Sequence, residues 1–95
     1  MIDNSYEIAV SVKVPGGWHS FGCFQVGYDK DKAAATFESL EGTSEGHDAA
    51  LRLELFEYEQ GAECLLIAQK GCTLDEFALN TRIIARDVFK YFNLE

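Results

Sequence analysis

The stretch YEIAVSVKVPGGWHSFGCFQV, residues 6–26, decides the fold. Tyr6, Ile8, Val10, Val12 and Val14 fall on one side of an alternating run, and Glu7, Ala9, Ser11 and Lys13 on the other. That is the period of a half-buried strand. Pro15 suits the first central position of a turn and Gly16 one that needs a positive φ. The run from Trp18 to Val26 is then the return strand of a hairpin. A glycine pair that cradles phosphate leads into a helix. Gly16 and Gly17 lead into a strand, so they read as a turn.

Working outward, GYDKDKAAATFESLEG, residues 27–42, supplies a cap at Asp29 or Asp31 and a helical face of Ala33, Ala34, Phe37 and Leu40, with Gly42 as the helix-ending glycine. A polar loop follows. The plan then repeats. Residues 51–60, LRLELFEYEQ, alternate, GAE turns, and CLLIAQKG returns. Thr73 and Glu76 form a capping box that opens a second helix, with a buried stripe expected at Phe77, Ala78, Thr81, Ile84, Ala85, Val88 and Phe92.

The expected fold is α+β and a single domain over residues 1–95. It comprises two ββα units, with strands over about 6–14, 18–26, 51–60 and 64–70 and helices over about 31–41 and 74–92. The strands form a four-stranded, mainly antiparallel sheet with both helices on one face.

Sixteen acidic residues against eight Lys and Arg give a net charge of −8, which repels nucleic acid and anionic lipid. No nucleic-acid or membrane partner is expected. The longest apolar run, residues 64–68, is far short of the roughly 20 residues needed to span a bilayer. MIDNSYE lacks a basic region followed by an apolar one, so no secretory signal is expected. Cys23, Cys64 and Cys72 are odd in number and without framework spacing, which suits reduced thiols in the cytoplasm.

Chemistry is sparse. His19 and Cys23 share one face of a regular strand but lie about 13 Å apart, too far for a catalytic dyad. His47 stands in the polar loop, with nothing in the sequence to bring it to a cysteine or glutamate. Cys64 and Cys72 lack zinc-ligand spacing, and Glu54, Glu57, Glu59 and Glu63 lack the spacing of a calcium loop. Neither metal nor cofactor is implied, and an enzyme is not expected. Arg82, Arg86 and Lys90 form a basic stripe offset by Asp75, Glu76 and Asp87 on the same helix. It suits an acidic protein surface better than DNA.

The return strands are apolar on both parities. With Ile8, Val10, Leu51, Leu53 and Leu55 turned to the helices, the opposite face would expose Phe21, Cys23, Phe56, Tyr58 and Leu66. An aromatic open face of this kind points to an interface. The function expected is therefore protein interaction or homo-oligomerisation through Phe21, Phe56, Tyr58 and Leu66, the partner being a second copy or another protein. A small ligand held on the same face through His19 and Cys23 is the alternative. Against an interface stand return strands that are twisted or register-shifted, or a polar loop that covers this face.

Overall fold

Alternation along the two inner strands organises the molecule. The computed structural model describes residues 4–43, 49–59 and 64–91. Strands β1 (Ser5–Val14) and β2 (Gly17–Gln25) precede helix α1 (Lys30–Ser39); β3 (Leu51–Tyr58) and β4 (Leu65–Cys72) precede helix α2 (Leu74–Tyr91). The class is α+β, with one four-stranded sheet in the order β2-β1-β3-β4 and every neighbouring pair antiparallel. The central β1–β3 ladder sets Ile8 against Leu55, Val10 against Leu53 and Val12 against Leu51. Tyr6, Ile8 and Val10 are buried with Leu51, Leu53 and Leu55, and Ala33, Phe37, Leu40 and Ile84 from the helices join the same core. No helix among the described residues is long and apolar enough to cross a membrane.

Local chemistry sets the boundaries. Pro15 and Gly16 turn the first hairpin, and Gly16 takes the positive φ of 92° that a side chain would resist. Asp29 caps α1, its Oδ1 accepting from the amides of Asp31 at 3.0 Å and Lys32 at 3.2 Å. The capping box of α2 is formed in both directions. The Glu76 amide donates to Thr73 Oγ1 at 3.1 Å, and the Thr73 amide donates to Glu76 Oε1 at 2.8 Å.

The end of α1 differs from the expected glycine stop. Leu40 is the C-cap, and Lys70 reaches over from β4 to donate to the carbonyls of Phe37 at 2.8 Å, Glu38 at 3.1 Å and Leu40 at 2.8 Å. A cation thus sits at the negative end of the helix dipole. Gly42 serves a different purpose. At φ 150° it lets the chain press against β4, where a Cβ on Gly42 would stand 2.6 Å from the Gly71 carbonyl oxygen. Thr43 and Gly71 then exchange backbone hydrogen bonds of 2.9 and 2.7 Å. The GAE turn, His47 and Phe92 lie outside the described residues.

Both return strands carry a bulge at corresponding places. Val10 pairs with Gly22 but Ser11 with Ser20, leaving Phe21 extra; Leu55 pairs with Ala68 but Phe56 with Leu66, leaving Ile67 extra. The two hairpins are therefore related by an approximate two-fold axis beside the Ala9–Glu54 pair, which exchanges Val10 with Leu55 and Ile8 with Leu53.

The second helix departs most from its expected burial. Asn80, Ile84 and Asp87 are its buried residues, whereas Ala78 and Ala85 are exposed. At about 100° per residue, this is a roll of roughly 90° away from the apolar stripe. Tertiary hydrogen bonds hold the rolled setting. The Glu41 amide donates to Asn80 Oδ1 at 2.7 Å, Asn80 Nδ2 donates to the Glu41 carbonyl at 2.9 Å, and Thr36 Oγ1 donates to Asp87 Oδ2 at 2.8 Å. Buried polar groups require partners, and these have them.

Candidate functional site

The sheet face away from the buried ladder carries Glu7, Ala9 and Ser11 on β1, paired across to Phe56, Glu54 and Arg52 on β3. It is mixed rather than uniformly aromatic. Its middle is polar: the Arg52 guanidinium lies 4.5 Å from the centre of the Trp18 ring, and Arg52 Nε is 3.5 Å from Glu54 Oε1. Its apolar part is one corner. Phe56 and Tyr58 sit with ring centroids 6.4 Å apart, and Leu66, 51% exposed, pairs with Phe56 across β4. Burial, then the hydrogen bond and charge of Glu7, push the Tyr58 hydroxyl up to about 12.

Of the residues expected on this surface, Phe56, Tyr58 and Leu66 are brought together and Phe21 is not. The extra residue in β2 resets its alternation, and Phe21 stands against Phe77 of α2, ring centroids 6.0 Å apart and rings 82° from parallel. Cys23, opposite Ala9, stays on the open face; His19, opposite Val12, falls on the other. Their expected shared face is therefore corrected: one inserted residue separates them by face as well as by distance.

Tyr6, Glu57 and Cys72 are titratable groups built into the fold. Tyr6 donates from its hydroxyl to Glu57 Oε2 at 2.6 Å, and Asn4 Nδ2 donates to the same oxygen at 3.0 Å. These bonds hold the Glu57 carboxyl below its usual range; burial first, and then Glu57, push the Tyr6 hydroxyl up to about 12. The Cys72 thiol is buried and raised chiefly by that burial, the opposite of an activated nucleophile. Cys23 and Cys64 are exposed free thiols. Among the described residues, no group of three or more His, Cys, Asp and Glu is placed to hold a metal ion.

An open groove of about 300 Å³ runs between α1 and β4, floored by Phe37, Leu55, Ile67 and Ala68. Sequence reasoning missed it because strict alternation puts Ala68 on the same side as Leu66, and only the second bulge turns Ala68 to the side of Leu55. Comparison with protein-family models, curated proteins and solved structures found no match.

Proposed function

We propose that this chain is a protein-binding module built from two ββα units, with both helices on one face of the sheet and the working corner, Phe56, Tyr58 and Leu66, on the other. The single core shared by β1, β3, α1 and α2 supports that arrangement. The reading is carried by the exposed, register-paired Leu66 beside two aromatic rings at one corner of a mixed face. Apolar anchors of this kind inside a polar rim are the usual centre of a protein interface. Glu7, paired with Phe56, and Glu54, two residues before it on the same face, lie beside the corner, so the partner it fits is a protein segment with an aliphatic or aromatic anchor flanked by Lys or Arg. The exposed thiols of Cys23 and Cys64 suit a reducing cytoplasm, and binding rather than catalysis is the activity.

Selection from a random peptide library on the immobilised chain tests this. Basic-flanked apolar peptides that lose affinity for Leu66→Asp are the expected result. Selected peptides that bind wild type and Leu66→Asp equally would overturn it.

The second reading is a small apolar ligand, favoured by the groove between α1 and β4 and not by His19 and Cys23, which the bulge has parted. The groove is at the small end of ligand pockets. The Lys70 amine beside it is already committed to three carbonyls, which leaves Glu38 as its remaining charged group.

A further inference from the structure

The roll of α2 leaves an ordered, mostly apolar strip along one flank of the helix, open at Leu74, Ala78 and Ala85, while Val88 at its end still packs against the core. Leu74, Ala78, Thr81, Ala85 and Val88 follow one another at alternating spacings of four and three residues, the pattern of a coiled-coil seam. Leu74 is 69% exposed, Ala78 and Ala85 are exposed, and Thr81 and Val88 are half-buried. On the core side the strip is bordered by Phe77, with the 64% exposed ring of Phe21 edge-on to it. On the solvent side run Asp75, Arg82 and the 52% exposed Phe89. Alanine at two seam positions permits close approach of another helix. Three acidic and three basic residues make α2 neutral within a chain of charge −8, so this flank is a place where the contacting surfaces themselves carry no net charge.

We propose that this flank of α2 is a two-fold interface whose occupant is α2 of a second copy, packed antiparallel. The patch is self-complementary, as an isologous contact requires. Two registers place the seams face to face. One sets Ala78 opposite Thr81 and Leu74 opposite Ala85 of the second copy, and brings Asp75 beside the other copy's Arg82, twice by symmetry. The other sets Arg82 against its own equivalent. Charge selects the first. Antiparallel packing also opposes the helix dipoles favourably. This interface is separate from the sheet corner and does not depend on it.

Light scattering over a range of concentrations, on wild type and four variants, tests the proposal. Wild type should interconvert between monomer and dimer. Ala85→Arg, at an exposed helical position, should raise the dimer dissociation constant by at least about tenfold, with its circular dichroism unchanged and its Tm unchanged at dilutions where both proteins are monomeric. Asp75→Lys should weaken the dimer, and Asp75→Lys combined with Arg82→Asp should restore it. Leu66→Asp should leave it intact. A wild-type chain that stays monomeric up to about 1 mM would overturn the interface. So would an Ala85→Arg variant that dimerises as tightly as wild type, or dissociation by Leu66→Asp alone, which would move self-association to the sheet corner. A double variant that does not recover would overturn the antiparallel register.

Discussion

Phe21 and Phe77 meet edge to face, ring centroids 6.0 Å apart, although a regular β2 would place Phe21 on the opposite side of the sheet. One inserted residue thus moves an aromatic anchor from the open face to the flank of α2. Such a ring pair adds about 1 kcal/mol beyond burial. Phe21→Ala is therefore expected to lower unfolding free energy by about 1 kcal/mol in urea titration. On the proposal for α2 it also weakens the dimer.

Asn80 and Ala85 make the setting of α2 testable by mutation. Asn80 is fully buried and doubly hydrogen-bonded to the Glu41 backbone, whereas Ala85 is exposed. Asn80→Leu should destabilise by about 2–3 kcal/mol despite its greater apolarity, because it leaves two backbone groups unsatisfied. Ala85→Lys should change monomer stability by less than about 0.5 kcal/mol. Chemical denaturation at low concentration checks both, and the reverse ranking would mean that the apolar stripe faces the core.

The inner strands were legible in the sequence because Ile8, Val10, Leu51, Leu53 and Leu55 hold a strict period of two and their partners obey it. Asp29, Thr73 and Glu76 were legible as caps because their chemistry is local. Phe21 and Ala68 were not, since apolar residues on both parities of β2 and β4 do not mark where a bulge falls. The roll of α2 was hidden for a different reason. Asn80 and Asp87 look solvated until the chain after α1 supplies the Glu41 backbone, and α1 itself the Thr36 hydroxyl. Of the candidate corner, Phe56, Tyr58 and Leu66 were read from alternation alone.

The Tyr6–Glu57 hydrogen bond of 2.6 Å gives the stability two pH limits. Glu57 has a folded pKa below its ordinary 4.5, so its contribution is present above that value and is lost as the pH falls through the folded pKa. Tyr6 is raised from 10.0 to about 12, so its contribution is present below pH 10 and is lost as the pH rises toward 12. Tyr6→Phe should make both limbs shallower in a plot of Tm against pH, with Tyr58, also raised to about 12, keeping part of the alkaline limb. Unchanged limbs would place the titrating groups elsewhere.

Lys70 and Gly42 hold α1 and the following chain against β4. Lys70→Met should cost about 2 kcal/mol through the lost charge-assisted bonds to the end of α1. Gly42→Ala should cost at least about 1–2 kcal/mol, since it combines a disfavoured φ with the clash at Gly71. Loss of amide-exchange protection at Thr43 and Gly71 would accompany the second change.

The most direct test of the account is the alkylation rate of a thiol placed at residue 85, using Ala85→Cys with Cys23 and Cys64 changed to serine and reductant removed just before reaction. Fast labelling is expected in dilute solution, where the flank of α2 is open, and slower labelling at high concentration, where a second copy covers it. Slow labelling at every concentration would mean that residue 85 is in the core and that α2 is not rolled. Equally fast labelling at every concentration would mean that no second copy covers the flank.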